Sequence, residues 1–339
     1  MNYNSYLFSY VAIGCFLISC GGVERQQNTG NNDSTTIRKE FLSSWKNTET
    51  TTRLIAFVEM TADNDSIPEE DRIAVFDNDG TLWSEQPVYF QLYFAIDQVK
   101  AMAADHPEWK DEEPMKSVLT NDLNSLMKQG MDGVLKLIMT THAGMSEDEF
   151  RTTVRQWADT ARHPETDKRY IDMVYQPMLE LLDYLEENGF KTYIVSGGGV
   201  SFMRAWAPEV YGIPEERIIG TTLKTEYVSD EEGQRVMRKP TIDFIDDKEG
   251  KPENINRIIG KKPLIAFGNS DGDLAMLQYT ASRQGSSLSG YIHHTDSTRE
   301  WAYDRESHIG QFDKGLDEAK ANNWLLVDMA KDWSTIYPD

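Results

Sequence analysis

Two aspartates stand one residue apart directly after a run of strand-forming residues, in the stretch RIAVFDNDGTLWSEQ (residues 72–86). The run from Ile73 to Phe76 is short and apolar, which predicts a buried strand. Asp77 and Asp79 fall at the carboxyl end of that strand, and Gly80 permits a tight turn there. Two like charges so close repel each other unless a proton or a cation lies between them. The stretch therefore predicts acid–base or metal chemistry at a strand end.

Two later strand-like runs also end in polar loops. The run KTYIV leads into residues 196–199, Ser-Gly-Gly-Gly, and the run PLIAF leads into residues 268–273, Gly-Asn-Ser-Asp-Gly-Asp. In open α/β sheets, ligands bind outside the carboxyl ends of the strands, and these ends share one edge of a parallel sheet. The two loops, although remote in sequence, are therefore expected to meet Asp77 and Asp79 at that edge.

The residue types of the three loops suit phosphate chemistry. Carboxylate and amide oxygens without sulfur or histidine favour a hard cation such as Mg²⁺. The hydroxyl and the unobstructed backbone N–H groups of residues 196–199 can bind phosphate oxygens. A carboxylate at such a site can attack phosphorus and form an aspartyl phosphate. A second carboxylate can protonate the leaving oxygen and later activate water. We therefore expect one of Asp77 and Asp79 to be a nucleophile and the other a general acid/base.

The hydropathy pattern places these loops in an α/β protein. Strand-like and helix-like stretches alternate from about residue 170 onward, which favours a doubly wound parallel sheet. Between the first and second strands, residues 85–169 have apolar side chains at three- and four-residue steps and predict a helical insertion. We expect residues 38–84 and 170–339 to form the α/β core and residues 85–169 to form a helical cap. The last strand is expected near residue 291, with a helical tail after it.

The amino terminus predicts export. Residues 1–19 contain an apolar stretch shorter than the roughly 20 residues of a membrane span. The sequence LISC (residues 17–20) resembles the lipobox of bacterial lipoprotein signal peptides. The resemblance implies a lipid on Cys20 and a location in the bacterial cell envelope, anchored to a membrane and facing the periplasm or the exterior. Residues 20–37 are polar and rich in Gly and Asn, which predicts a flexible tether.

The overall charge restricts the partners. The 339 residues include 34 basic and 56 acidic side chains, which gives a formal net charge of −22. Nucleic-acid backbones are bound by Lys and Arg, so nucleic-acid binding is not expected. A phosphorylated substrate is repelled at long range by such a protein, and its site must therefore be locally basic.

The first loop, with its strand, carries a resemblance to a known family. The stretch VFDNDGT, together with the other two loops, resembles the haloacid dehalogenase (HAD) superfamily of phosphohydrolases, and most of all its phosphoserine-phosphatase-like branch, over about residues 70–280. The resemblance implies a Rossmann-like core with an inserted cap, and a Mg²⁺ cofactor. It implies that Asp77 is the nucleophile and a metal ligand. It implies that Asp79 is the general acid/base and offers its backbone carbonyl to the metal. The resemblance places phosphoryl binding at Thr81, Ser196 and Gly197.

Two further motifs of the family are matched, one of them with a departure. The third motif is a lysine ahead of the last acidic loop, whose charge neutralises the nucleophile and the phosphoryl group. Lys251 fits this motif best, and Lys248 is the alternative. The fourth motif is commonly Gly-Asp-x-x-x-Asp, but Asn269 replaces its first aspartate here. The resemblance then implies Asn269 and Asp273 as metal ligands, with Asp271 as the alternative.

Together these features predict a Mg²⁺-dependent phosphatase that hydrolyses small phosphate monoesters. Its partner is then a small phosphorylated metabolite, selected mainly by the cap. A surface lipoprotein that uses the fold only to bind a ligand is the alternative from a different class. A phosphonatase or a dehalogenase is the alternative with the same fold. Asp79 favours phosphate over halide, because a halide ion leaves without protonation.

Two expectations concern residues outside the motifs. The cap is expected to be hinged near residues 84–86 and near Tyr170, so that it can close over the site. In the stretch YIHHTD, the alternation of a strand sends only one of His293 and His294 inward. Surface histidines are the favoured interpretation of this pair.

Overall fold

The apolar runs that precede the polar loops form strands of one sheet. The computed structural model describes residue 36, residues 40–64 and residues 67–338. The strands are β1 (Ile73–Phe76), β2 (Lys191–Gly199), β3 (Ile218–Asp230), β4 (Gly233–Phe244), β5 (Ile265–Gly268), β6 (Leu288–His293) and β7 (Leu325–Asp328). Among the described residues they form a seven-stranded sheet in the order β4-β3-β2-β1-β5-β6-β7. Neighbouring strands are parallel, except that β3 and β4 form an antiparallel hairpin.

Helices connect these strands and fill the long insertion after β1. The α-helices are α1 (Glu49–Ala62), α2 (Phe90–Met102), α3 (Met115–Leu119), α4 (Leu123–Lys128), α5 (Gly130–His142), α6 (Glu147–Thr160), α7 (Gln176–Glu187), α8 (Val200–Arg204), α9 (Ala207–Tyr211), α10 (Gly250–Ile258), α11 (Leu274–Ala281), α12 (Lys314–Ala321) and α13 (Met329–Asp332). Helices α2 to α6 lie between β1 and β2 in sequence, where the helical insertion was predicted. Helix α6 begins at a capping box formed by Ser146 and Glu149, which satisfies backbone N–H groups at the helix start.

Strand β1 is buried on both faces, which fixes where the first loop begins. Ala74 and Phe76 belong to one hydrophobic cluster, and Ile73 and Val75 belong to a second. Alternate residues of a strand point to opposite faces of the sheet. A strand with every residue buried therefore lies between two layers, as in parallel α/β sheets. The predicted doubly wound parallel sheet is confirmed.

The helical insertion is bonded to the β3–β4 hairpin. The backbone of Arg238 in β4 accepts a hydrogen bond from Gly144 N (2.9 Å) and donates one to Met145 O (3.0 Å). The Arg238 side chain donates from Nε to the His142 carbonyl oxygen (2.6 Å) and from Nη1 to Glu147 Oε1 (2.8 Å). A buried arginine with these partners holds the hairpin to both α5 and α6.

The residues expected to act as hinges are buried and bonded. The Ser84 hydroxyl bonds to Glu300 Oε1 (3.1 Å) and to the Tyr337 hydroxyl (2.7 Å). Tyr170 is buried, and its ring centroid lies 4.8 Å from that of Trp157. These contacts hold both residues in the present conformation, and hinge motion near residues 84–86 and near Tyr170 stays a prediction. The described residues belong to one compact unit, and the division into core and cap stays a prediction.

The carboxyl-terminal part differs from the expected helical tail. After β6 come a long loop and α12, and then β7 pairs in parallel with β6. Strand β7 has only 4 residues, and a short apolar run does not distinguish a strand from a buried helical turn. The sheet therefore extends one strand further than the sequence predicted.

The export signals lie outside the described residues. Residues 1–35 carry the predicted signal peptide, Cys20 and nearly all of the predicted tether, and the description begins after them. The predicted lipid anchor and envelope location therefore stay predictions. In the part of the chain that the structure describes, no helix has both the length and the apolar character needed to cross a membrane.

Candidate active site

Lys251 joins the first loop to the last one. Its Nζ lies 2.7 Å from Asp77 Oδ1, at the end of β1, and 2.5 Å from Asp273 Oδ1, just after β5. The Lys251 side chain is 2% exposed, whereas Lys248 is exposed. Since α10 begins at Gly250, Lys251 enters the site from the first turn of that helix. The structure therefore brings Lys251, and not Lys248, to Asp77.

The carboxyl groups around Lys251 are strongly coupled. Burial and the neighbouring Asp273 hold the pKa of Asp77 well above its ordinary value, against the opposing effect of Lys251. Burial lowers the pKa of Lys251, but the charges of Asp273 and Asp77 outweigh it and raise that pKa. Lys251 therefore stays charged, and its charge favours the ionised form of Asp77.

Asp79 has a different environment from Asp77. Trp83 donates a hydrogen bond from its indole Nε1 to Asp79 Oδ1 (2.9 Å). Burial raises the pKa of Asp79 to about 6, although the Trp83 hydrogen bond and Lys251 both lower it. The ring of Trp83 stacks on that of Trp206, with centroids 4.3 Å apart. A carboxyl group that is held in place and keeps its proton to a higher pH than a free aspartate suits a general acid.

The Ser-Gly loop after β2 lies beside Asp79. A Cβ atom added to Gly198 would lie 3.6 Å from Asp79 Oδ2 and 3.3 Å from Ser196 Oγ. The backbone N–H of Gly198 donates to Ser196 Oγ (3.1 Å), and Gly197 is exposed. Gly199 N donates to Oε1 of Gln91 in α2 (2.8 Å). The loop therefore brings the Ser196 hydroxyl and an accessible glycine backbone to the carboxylates, as predicted for phosphoryl binding.

The two aspartates of the last loop are engaged by donors of the protein. Asp273 Oδ2 accepts hydrogen bonds from the backbone N–H groups of Asn269 (2.9 Å) and Ser270 (3.1 Å), and its other oxygen faces Lys251. Asp271 accepts backbone N–H groups at the start of α12, from Asp313 (3.0 Å), Lys314 (3.2 Å) and Gly315 (2.8 Å). Donors of the protein therefore bond to both carboxylates, and metal binding by Asp273, or by its alternative Asp271, stays a prediction.

Asn269 is buried between the first loop and Glu85. Its Nδ2 donates to Glu85 Oε1 (2.7 Å), and its Oδ1 accepts a hydrogen bond from the Thr81 hydroxyl (3.2 Å). Thr81 is itself fully buried. The Thr81 hydroxyl donates to Asn269 and so orders the loop, and its contact with the substrate stays a prediction.

Three residues that support the site were missed or misjudged in the sequence. Glu85 is buried, and Tyr303 donates to the same Oε1 atom (2.7 Å). Burial holds the pKa of Glu85 well above its ordinary value. His294 is buried and bonds through Nε2 to the Gly80 carbonyl oxygen (2.7 Å), so the favoured surface interpretation was wrong for it. For Glu85, the available signal was an acidic residue just after the first motif. For His294, it was the strand alternation, which sends one of the two histidines inward.

The oxygen donors at this edge fit a hard cation. The candidate ligands are three oxygen donors: the Asp77 carboxylate, the Asp79 backbone carbonyl oxygen and the Asn269 amide oxygen. Among the described residues, no group of three or more His, Cys, Asp and Glu side chains could hold a metal ion. The three candidate ligands do not form such a group, because two of them are an amide oxygen and a backbone carbonyl oxygen. Asp77 and Asp273 both contact the single ammonium group of Lys251, and an added cation would offset the excess negative charge.

Several solved structures resemble this fold at low sequence identity. A conserved protein of unknown function from Anaerococcus prevotii is 18% identical, with 82% of this chain and 90% of that chain covered and a TM-score of 0.47. A protein of unknown function from Bordetella pertussis is 15% identical, with 76% and 98% covered and a TM-score of 0.49. A probable phosphoserine phosphatase from Vibrio cholerae is 15% identical, with 73% and 64% covered and a TM-score of 0.37. No curated protein matches the sequence.

The family comparison covers the loops described above. Residues 74–278 match the model of haloacid dehalogenase-like hydrolases. The matched region begins in β1, ends in α11, and contains Asp77, Ser196 and Lys251. Since the match spans more than half of the sequence, the chain belongs to the haloacid dehalogenase-like hydrolase family.

Proposed function

We propose that this hydrolase is a Mg²⁺-dependent phosphatase that hydrolyses small phosphate monoesters through an aspartyl-phosphate intermediate. The observation that carries the proposal is the contact between Lys251 Nζ and Asp77 Oδ1 (2.7 Å) at the end of β1. It places a buried cation on one oxygen of a carboxylate at the edge where the Ser196 loop also lies. A nucleophile with a fixed positive charge beside it is suited to attack an anionic phosphoryl group.

Asp77 and Asp79 divide the reaction between them. A carboxylate oxygen of Asp77 forms a bond to phosphorus while the bond from phosphorus to the leaving oxygen breaks. Asp79 gives its proton to that oxygen. In the second step Asp79 takes a proton from water, the water oxygen bonds to phosphorus, and the bond to Asp77 breaks. The products are an alcohol and inorganic phosphate, and both aspartates return to their starting states.

The remaining residues bind charge and orient the phosphoryl group. Asp77, the Asp79 carbonyl oxygen and Asn269 Oδ1 would hold the Mg²⁺ ion, which supplies positive charge to the phosphoryl oxygens when bound. Ser196 and the Gly197 backbone N–H would bind those oxygens from the carboxyl end of the adjacent parallel strand β2. Lys251 neutralises Asp77, which allows two anionic groups to approach each other in a site that contains little water.

The insertion supports small substrates. Gln91 of α2 lies on the Ser-Gly loop, and Arg238 bonds the hairpin to α5 and α6. A cover that is bonded to the core on both sides limits access to compact esters. A lipid on Cys20 would place this activity in the cell envelope, on small phosphorylated metabolites, and the net charge of −22 disfavours nucleic acid as a partner.

The alternative functions inferred from the sequence have less support. A protein that only binds a ligand has no need for a buried lysine beside a carboxylate, nor for Asp79 with its pKa raised to about 6. A dehalogenase has no need for an acid at Asp79, because halide leaves as an ion.

The test is release of phosphate from p-nitrophenyl phosphate with and without Mg²⁺. We expect Asp77→Asn to lower kcat by about 10³-fold or more, since the variant loses the nucleophile but keeps its shape. Asp105→Asn, an exposed residue of the insertion, is the matched control and should keep full activity. Wild-type activity without Mg²⁺, or an active Asp77→Asn variant, would contradict the proposal.

A further inference from the structure

The amide of Asn269 can face a cation in only one of its two orientations. An asparagine side chain ends in an oxygen that accepts and a nitrogen that donates, and only the oxygen can bind a hard cation. The two ends have nearly the same shape, so packing alone does not choose between them. The hydrogen-bond partners of the amide must therefore make the choice.

Glu85 determines the orientation of the Asn269 amide, and Thr81 does not. If the Asn269 amide were reversed, its oxygen would face Glu85 Oε1 across the present 2.7 Å contact; because Oε1 already accepts the Tyr303 hydroxyl, this brings two acceptors together. The nitrogen would then face the Thr81 hydroxyl, now 3.2 Å from Oδ1. A hydroxyl can accept as well as donate, so the contact with Thr81 tolerates either orientation. The carboxyl group of Glu85 is the partner that distinguishes the two.

Glu85 is itself held in place from two sides. Tyr303 donates its hydroxyl to Oε1 at 2.7 Å. A Cβ atom added to Gly310 would lie 1.9 Å from this oxygen, and one added to Gly80 would lie 2.5 Å from it. Both glycines have a positive φ, 65° and 71°, a conformation that glycine adopts without strain. The backbone therefore encloses the carboxyl end of Glu85 closely enough to fix its position.

We infer that Glu85 is a positioning residue of the metal site, which fixes the Asn269 amide so that its oxygen, and not its nitrogen, is the end offered to the cation beside Asp77. This inference rests on the proposed function, because it concerns the Mg²⁺ site proposed there. Glu85 acts through Asn269 as a hydrogen-bond acceptor, with Tyr303 behind it. Its effect on Mg²⁺ binding should therefore depend on the presence of Asn269.

The test is a double-variant cycle on the Mg²⁺ dissociation constant, measured by titration calorimetry on the full chain. Glu85→Leu removes the acceptor, and we expect the constant to rise about tenfold or more. Glu85→Gln keeps an acceptor oxygen of the same reach, and we expect a constant within about threefold of wild type. In the Asn269→Ala background, which binds Mg²⁺ more weakly, Glu85→Leu should change the constant by less than about threefold.

Two controls separate loss of fold from loss of binding. The melting temperature of each variant is measured without Mg²⁺. Glu180→Gln removes another buried carboxyl group, which bonds to Ser44 and Gln176, and it should leave Mg²⁺ binding unchanged. If Glu85→Leu does not fold, Glu85→Met is used in its place, since it also lacks the acceptor.

The outcomes distinguish this inference from the proposed function. If Glu85→Gln binds as weakly as Glu85→Leu, charge and not hydrogen bonding is what matters, and the inference is overturned. The same holds if Glu85→Leu weakens binding equally with and without Asn269. In both cases Mg²⁺-dependent activity of the wild type would still support the phosphatase. A wild type that binds no Mg²⁺ would overturn the metal site, and the inference with it.

Discussion

Asp77 and Asp79 are separated by a single residue, and their side chains nevertheless meet different partners. Asp77 contacts the ammonium group of Lys251, whereas Asp79 accepts the indole N–H of Trp83. Two carboxyl groups in different environments can take opposite roles in one reaction. A full positive charge opposes the effect of burial on the pKa of Asp77, whereas the donor in contact with Asp79 is the neutral indole of Trp83, and burial raises the pKa of Asp79 to about 6.

The pH profile should report the proton on Asp79. Because Asp79 must be protonated to act as the acid, kcat/KM should fall as the pH rises through about 6. Trp83→Phe removes a donor that stabilises the carboxylate, so the pKa of Asp79 rises. The fall in kcat/KM should then move to higher pH by about 0.5–1 unit. The measurement is the pH dependence of p-nitrophenyl phosphate hydrolysis.

Trp109→Phe provides the comparison for this shift. Trp109 is also buried, but its ring packs on His106 in the insertion, with centroids 4.1 Å apart. The profile of Trp109→Phe should match that of the wild type. A shift to lower pH in Trp83→Phe would contradict the assignment of Asp79 as the acid.

Removing Lys251 should destabilise the protein, and more so at high pH. Lys251→Met leaves Asp77 and Asp273 buried without their cation, which should lower the free energy of unfolding by about 3–5 kcal/mol. Without Lys251 the pKa of Asp77 rises further. An acid with a raised folded-state pKa contributes stability below its unfolded pKa and loses it as the pH rises through the folded pKa. The deficit should therefore be larger at alkaline pH than at acidic pH.

Urea denaturation at several pH values measures this deficit. Lys248→Met is the matched variant, because Lys248 is exposed one turn away and should cost less than about 0.5 kcal/mol. Equal losses in the two variants, or a deficit that shrinks as the pH rises, would argue against the buried contact.

The residues of the site differ in how visible they are in the sequence. Asp77, Asp79 and Lys251 follow from a strand, a spacing and a helix start, all of which are local. Glu85 was grouped with the insertion, although its carboxyl group lies on Asn269, 184 residues away. Tyr303 falls in an irregular loop without periodicity. Contacts of this kind depend on the fold as a whole, and no local pattern predicts them.

At the scale of elements, Arg238 joins the β3–β4 hairpin to helices α5 and α6 of the insertion. Arg238 lies in β4, yet its side-chain partners belong to α5 and α6, and its guanidinium group stacks over the ring of Phe150 (4.1 Å). The arginine is nearly fully buried, so its hydrogen bonds are made away from water. One side chain therefore connects a strand after β2 with two helices before it.

Arg238→Met should weaken the attachment of the hairpin to α5 and α6. The variant keeps much of the apolar stem but leaves the His142 carbonyl oxygen and Glu147 without their donors. We expect the free energy of unfolding to fall by about 2–3 kcal/mol, as measured by urea denaturation. Arg235→Met, in the same strand, removes pairs with Asp230 and Glu232 near the turn and should cost less than about 1 kcal/mol. If the free energy of unfolding falls less for Arg238→Met than for Arg235→Met, Arg238 does not hold the hairpin to α5 and α6.

The elements were predictable where they are long or have a distinct period. The helical insertion and the strands before the three loops were predicted from periodicity and from buried apolar runs. Strand β7 was missed because its 4 residues carry too little pattern. The contacts of Ser84 and Tyr170 with partners far away in sequence were not predicted, because chain connectivity alone does not indicate such partners.

At the scale of the whole molecule, the site lies in a strongly acidic protein. A net charge of −22 repels large anionic partners, while Lys251 acts only within the site. We expect kcat/KM for p-nitrophenyl phosphate to exceed that for a phosphorylated casein by about 10²-fold or more, as measured by phosphate release. Phosphorylated peptides of a few residues should fall between the two. Equal rates on the intact phosphoprotein would contradict the restriction to small esters.

The stacked pair of Trp83 and Trp206 gives the site an optical signal. The two indoles lie 4.3 Å apart, and one of them bonds directly to Asp79. Indoles in such close contact share their excited states, so the pair contributes its own component to the ultraviolet circular dichroism and its own emission. When the charge next to Trp83 changes, the electric field on this chromophore changes with it. We therefore expect the arrival of a phosphoryl group to change the emission of this pair, which fluorescence measures in real time without a dye.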